Sequence, residues 1–580
     1  MKVAEVLDLP GRFARRLFID PLSVKELSGI ARRWQIYVGR CLYIALTASI
    51  VWIFDTSLRE RGARMSPSAI AEMGRTLFNS FFFLQLVVVT LSGVTSASDM
   101  ITREVRGGTL GLLALTPLSP WRIVAGKWKA ALLQTSTVLL CGAPVFAVCA
   151  FLGGVGPAEL ACSLTLSVVG ASLGAAVSLW CSAFFRTSYV ATIVTLIALL
   201  VYCVAPLLPM FAISRSGGGD EYMTFLAWTH PLYAAVGTTM SPVLSSPWST
   251  GWLCASPLSM LLVFLLLRGC TARVVTLIRR PGSGLGEAPS AQAPADGDPR
   301  SSFVARMLRG RSGVWQSNAI LWKELSTRRI GTGCAARVGV ALLAFLMLTT
   351  LGAEEWWRVL ILWFSWIILY LVALANGVSL FVTEREERKW DVLLSTPLRA
   401  RDIVAAKLLA GLAGMAALAL LLVVFWSLMT LAYGGTFPSV VMGMGGPILG
   451  VLLTYVVGAF MSLNAPNQRA AFSAAFGVMV LLLFVLPIVV GMLEGFRVLP
   501  RDGDYAEYFI GVTNPGTYLV YLSDLLSRSY HWNASGSQWL IEKTNRFWDK
   551  FEFFVALYGV LIAGLVAWIH QRFDRAAGRS

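Results

Sequence analysis

Long stretches with hardly any charge constrain this chain more than any other feature. They fall at 36–55, 77–98, 129–151, 160–185, 189–213 and 251–269, and again at 338–353, 357–381, 408–432, 447–463, 471–493 and 552–570. A helix needs about 20 apolar residues to cross the hydrocarbon core of a bilayer. Inside that core every backbone N–H and C=O must find a partner within the protein, which leaves a run of this kind one ready solution, the α-helix. Charged residues make up 14% of the chain, against about 25% in a soluble domain. So little charge cannot cover an exterior that faces water, but it suffices for one that faces lipid. The expectation is an all-α integral membrane protein of twelve spans.

The net charge is +16, and the basic residues cluster between apolar runs. That placement excludes a nucleic-acid surface as the simplest explanation, because loops on the cytoplasmic side collect Lys and Arg. Segments 1–35, 99–128, 186–188, 270–337, 382–407, 464–470 and 571–580 each contain Arg, whereas 152–159 and 433–446 contain neither Lys nor Arg. The loop 56–76, with Arg59, Arg61, Arg64 and Arg75, runs against this pattern. The expected topology is multi-pass, with both termini in the cytoplasm. The first 35 residues are basic and polar and carry no cleavable signal pattern, so the first span is expected to remain as an anchor. Nine cysteines lie mostly in apolar runs and three histidines lie far apart. Neither set has metal-ligand spacing.

Residues 281–300, PGSGLGEAPSAQAPADGDPR, read as a flexible linker. The expected organisation is a first six-span half over 1–280, the linker, and a second six-span half over 301–580. The halves share an internal repeat. Placing residue n over n+280 brings Glu104 onto Glu384, Leu113 onto Leu393, Thr116-Pro117-Leu118 onto Thr396-Pro397-Leu398, and Lys127 onto Lys407 without a gap. Ser182 falls on Ser462. Upstream of each half, Lys25-Glu26-Leu27 with Arg32-Arg33 parallels Lys323-Glu324-Leu325 with Arg328-Arg329. Each is expected to form an amphipathic helix lying at the membrane surface. An even number of spans separates the copies, so they are parallel repeats.

The repeated segment has a physical grammar of its own. A stretch with Leu110, Leu112, Leu113 and Leu115 ends at Thr116-Pro117, because proline lacks the N–H that a helix interior needs. Ser119-Pro120 then reads as an N-cap followed by proline in the first helical turn. A short helix, a corner and a second helix feeding the third span are expected, with Lys127 as a snorkelling anchor at the interface. Gln85 and Asn376, one in the second span of each half, are candidates for lining a path, or for fastening helices to each other.

At these residues the sequence resembles the type-2 ABC exporter permease family. Its members carry a Glu-rich segment, a Leu-rich stretch, Thr-Pro-Leu and a Lys between spans two and three. Both Glu104–Lys127 and Glu384–Lys407 fit, although Lys389-Trp390 stands where the first copy has Thr109-Leu110. His230-Pro231-Leu232-Tyr233 and Asn514-Pro515 resemble the family's Asn-Pro-x-x-Tyr-like segment. The resemblance implies two permease halves in one inner-membrane chain, surrounded by lipid and driven by a cytoplasmic ABC ATPase dimer that docks on the segment between spans two and three. The sequence contains no Gly-x-x-x-x-Gly-Lys-Ser/Thr loop. ATP and Mg are therefore expected on the partner, with no cofactor and no catalysis in this chain. Two rivals remain open: a twelve-span secondary transporter, for which the spans offer almost no acidic residue, and an ATP-driven scaffold that moves no solute.

Overall fold

The computed structural model describes residues 21–31, 34–61, 66–152, 154–185, 188–207, 209, 219–240, 247–279, 321, 343–344, 347–350, 355–386, 389–390, 393, 399–482, 512–527 and 534–576. Among these every regular element is helical. The chain divides into two compact units, Met1–Ser290 and Ala291–Ser580.

In the first unit, α1 (Pro21–Ala31) and α2 (Trp34–Arg61) precede a long α3 (Pro67–Ala97). Two short helices follow, α4 (Thr102–Arg106) and α5 (Thr109–Ala114). Then come α6 (Pro120–Phe151), α7 (Pro157–Ser182) and α8 (Ser188–Val204). The short helices α9 (Gly219–Thr229) and α10 (Pro231–Met240) lead to α11 (Trp252–Arg279). The second unit contains α12 (Glu355–Glu386), α13 (Ala400–Ala432), α14 (Phe437–Asn464), α15 (Gln468–Val480), α16 (Gly516–Ser527) and α17 (Ala534–Ala576).

Nine helices among the described residues are long and apolar enough to cross a membrane. Of the twelve expected spans, the first and eleventh appear as shorter apolar helices, Gly39–Trp52 and Ala470–Val480. The expected span 338–353 lies largely outside the described residues.

The repeat is visible in the helix starts. Pro120, Pro157 and Ser188 open α6, α7 and α8, and their partners at the same offset, Ala400, Phe437 and Gln468, open α13, α14 and α15. The corner between the third and fourth spans recurs as well. Gly154 has φ of 91° and its counterpart Gly434 has φ of 84°, a region that side-chain-bearing residues rarely occupy. At Gly154 an added Cβ would also meet the Ala71 carbonyl.

Packing follows one plan in both units. The second-span helix lies along the fourth (α3 on α7, α12 on α14), and the last helix lies on the fourth from another side (α11 on α7, α17 on α14). Small residues permit the close approach. Gly170 abuts Thr90, and its counterpart Gly450 abuts Tyr370. Without a hydrophobic driving force between helices in lipid, such contacts rest on dispersion and interhelical hydrogen bonds.

Candidate functional site

The segment between the second and third spans forms a cornered pair of short helices. It begins at Thr102, whose Oγ1 donates to the Ser182 carbonyl at the end of α7, 2.8 Å away. Gly108, at φ of 67°, breaks α4 from α5. After α5 the chain turns at Thr116-Pro117, and α6 starts where the sequence pattern places it: the Ser119 side chain accepts from Arg122 N, and Pro120 stands in the first turn. Leu110 turns inward, while Leu112 and Leu115 are 66% and 85% exposed. Thr116 and Pro117 are exposed beside them and Leu113 is half-buried. The corner therefore presents an apolar tip.

Behind the tip lies a knot of charges. Lys127 on α6 is fully buried, and its Nζ donates to Glu26 Oε1 at 2.7 Å and to Glu104 Oε1 at 3.4 Å. Arg103 donates to the other oxygen of Glu26 at 2.8 Å, Lys25 reaches Glu104 at 3.5 Å, and Thr109 Oγ1 donates to Glu104 Oε2. Glu26 and Glu104 are themselves buried. Charges taken out of water in this way need partners, and removing one partner of a buried pair typically costs about 3–5 kcal/mol. The knot ties three elements together: α1, the α4–α5 corner and α6. It is reinforced where Ser23 Oγ donates to the Gly126 carbonyl at 3.0 Å.

This corrects one expectation. Lys127 does not snorkel to an interface, because two carboxylates satisfy it inside the protein. One of them, Glu26, lies 101 residues earlier, and no local pattern announces that pairing. Likewise, α1 does not simply present an apolar and a basic face. Glu26 turns inward with Leu22 and Ser23, and Lys25 stays exposed.

The second unit repeats the central tie. Lys407, also buried, donates to Glu384 at 3.0 Å. The contact to the fourth span recurs through Ser462, whose hydroxyl accepts from Phe381 N and Val382 N, each at 3.0 Å. Arg385 donates to the Leu463 and Ala465 carbonyls, closing the end of α14. Gln468 N donates to Glu386 at 2.9 Å. Trp390 meets Phe573 of α17 edge-on with ring centroids 5.5 Å apart. Leu393 is buried. Thr396, Pro397, Arg32, Arg33, Lys323, Glu324, Arg328 and Arg329 lie outside the described residues.

Gln85 and Asn376 sit apart from these ties. Gln85 accepts from the Tyr43 hydroxyl on α2 and donates to the Leu139 carbonyl on α6 at 3.2 Å, with Gly142 giving it room. Both of its ends thus fasten helices. Asn376 donates to Val372 O on its own helix at 2.9 Å and faces Gly414. His230 and Asn514 hold matching posts ahead of α10 and α16. His230 Nδ1 accepts from Leu232 N at 3.2 Å, and Asn514 Oδ1 accepts from Gly516 N at 2.7 Å.

Several contributors have no signal in the sequence reading. Tyr43, Ser23, Arg103 and Thr102 act across distances in the chain that no short motif spans. Gly154 and Gly434 could have been found, since they share the offset of the repeat. Arg358 was also passed over: buried near the start of α12, it donates twice to the Leu526 carbonyl at the end of α16.

Compared with known families, the chain matches the model described as ABC-2 family transporter protein twice, over residues 44–270 and 296–576. No curated protein matches it.

Proposed function

The chain belongs to the ABC-2 family of transporter proteins, and from that premise we propose that it is the membrane permease of an ATP-driven exporter whose ATPase is a separate cytoplasmic subunit. Two family matches in one chain support a complete permease pair, so the partner is an ATPase dimer rather than a second copy of this chain. ATP and Mg bind on that partner. The segments around Glu104 and Glu384 face the cytoplasm in this reading, in the inner membrane of the cell.

One observation carries the proposal: the same buried Glu–Lys tie, Glu104–Lys127 and Glu384–Lys407, joins the segment after the second span to the third-span helix in both units. A push on the tip at Leu112 and Leu115 passes into α6 through Glu104 and Lys127, and into α7 through Thr102 and the Ser182 carbonyl. In the second unit Glu384, Lys407 and Ser462 provide the same route. A corner fastened on two sides transmits displacement instead of absorbing it. ATP-driven closure of the two ATPase subunits would tilt the third- and fourth-span helices and change access between the halves.

The test is to co-express the chain with its ATPase subunit and to replace Glu104 and Glu384 by Ala, together and singly. Assembly is expected to persist while ATP-driven transport falls sharply in the double variant. Leu112→Asp with Leu115→Asp is expected to abolish assembly itself. If transport and assembly survive all of these changes, the coupling role is wrong.

A further inference from the structure

Around the apolar tip of the first unit, among the described residues 21–31 and 99–129, every acidic side chain is withdrawn and every exposed charge is positive. Residues 21–31 and 99–129 are all described, and their only acids are Glu26, Asp99 and Glu104, all buried. Lys25 remains 61% and Arg103 44% exposed after forming their ion pairs. Arg106 and Arg122 are exposed as well. The second unit differs at matched positions. Where the first has Ser119, Trp121 and Arg122, the second has Arg399, Arg401 and Asp402, all three exposed. Arg122 and Asp402 thus carry opposite charge at the same place on the same helix.

Building on the ATPase-docking reading above, we propose that the first-unit face takes an ATPase groove with an acidic rim, whereas the second-unit face takes a rim of mixed charge. The chain then tells its two ATPase positions apart. Rim charges of this kind steer encounter and set which partner is accepted more than they set raw affinity, and like charges across a contact exclude the wrong partner. An exposed apolar tip with a positive rim matches an apolar groove edged by Asp and Glu. An ATPase homodimer would meet the two faces unequally, and two different ATPase subunits would each have a preferred side.

The experiment compares Arg122→Asp, Lys25→Glu, Asp402→Arg and the Arg122→Asp/Asp402→Arg exchange, each co-expressed with the ATPase subunit and purified in neutral detergent. Arg122 is exposed and outside the charge knot, so the melting temperature of Arg122→Asp alone is expected to match that of the parent, whereas Lys25→Glu also loses the Glu104 pair and is read against its own melting temperature. Association is measured between about 0.1 and about 1 M salt, over which the screening length falls from about 10 to about 3 Å. The parent is expected to lose affinity with salt. Arg122→Asp and Lys25→Glu are each expected to weaken low-salt association about fivefold and to flatten the salt dependence, and Arg122→Lys restores both. Asp402→Arg is expected to have a smaller effect, and the exchange is not expected to regain parental affinity.

The proposal is overturned if the reversals leave affinity and salt dependence unchanged. It is also overturned if their effect appears only after adding phosphatidylglycerol vesicles, since the charges would then serve lipid. Leu115→Asp separates this failure from failure of the underlying reading. If Leu115→Asp abolishes association and the charge reversals do nothing, the ATPase docks without an acidic rim. If Leu115→Asp also does nothing, the face is not an ATPase dock.

Discussion

The Glu–Lys tie of the first unit and that of the second share their geometry, and among the described residues they stand in different surroundings. Glu104–Lys127 is shared with a helix from the start of the chain, which contributes Glu26 and Lys25. Glu384–Lys407 stands next to a corner that Arg385 of α12 closes against the end of α14, and a face packed by Phe573 of α17. The pair is thus the part of the repeat that both third-span helices share. Glu384 also retains more contact with water than Glu104, at 12% against 6% side-chain exposure.

That contrast sets an order of expected damage. Lys127→Met removes the one buried cation between two buried carboxylates, leaving them only the partly exposed Arg103 and Lys25, and is expected to cost about 3–5 kcal/mol, read as a large drop in melting temperature of the purified chain. Adding Glu26→Gln and Glu104→Gln should recover part of the loss, because no unpaired charge then remains. Lys407→Met is expected to cost less, about 2–3 kcal/mol, since water reaches Glu384. Equal losses at the two lysines would break the comparison.

The matched corners come next. Gly154→Ala forces a side chain into a positive-φ backbone and against the Ala71 carbonyl, for an expected loss of about 2 kcal/mol. Gly434→Ala meets the same positive-φ backbone and is expected to cost about 1 kcal/mol from that strain. Identical melting temperatures for the two variants would show that the Ala71 contact yields freely.

The smallest effect concerns the matched posts ahead of α10 and α16. Burial pushes His230 down from 6.5 to about 4, so the folded state keeps the ring neutral while the unfolded chain protonates it. Stability is therefore fully present above pH 6.5 and is lost as pH falls towards about 4. His230→Asn installs the residue that the second unit uses and is expected to remove that slope from melting temperature against pH. A parent protein whose stability is flat across this window would refute the assignment.

The sequence reading reached what local rules govern. Apolar run length marks the helices of α3, α6, α7, α13 and α14, and Ser119-Pro120 marks the start of α6 to the residue. The gapless offset marks Glu104 and Lys127 as matched positions of a repeated segment, although not that the two side chains pair. What it misses is long-range partnership. Glu26 looks like one more surface charge on an amphipathic helix until the fold brings α6 beside it, and Gln85 looks like a polar residue awaiting a path until Tyr43 and Leu139 occupy both its ends. The short apolar stretch of α2 also shows that hydropathy averages blur where a helix is apolar and where it merely continues.

The reach of Glu26 has a consequence for synthesis. Glu384 meets Lys407 after 23 further residues, so that tie can close as soon as one corner has formed. Glu26 must wait 101 residues for Lys127, roughly 5–20 s at ordinary ribosome speeds. Arg103, which also binds Glu26, emerges after 77 residues, so until Lys127 arrives Glu26 has only that partially exposed cation to pair with. The Glu26 contact of the first half therefore closes only when the third span arrives, and an arrest or a slow codon run before Lys127 would leave that contact open to quality-control proteases.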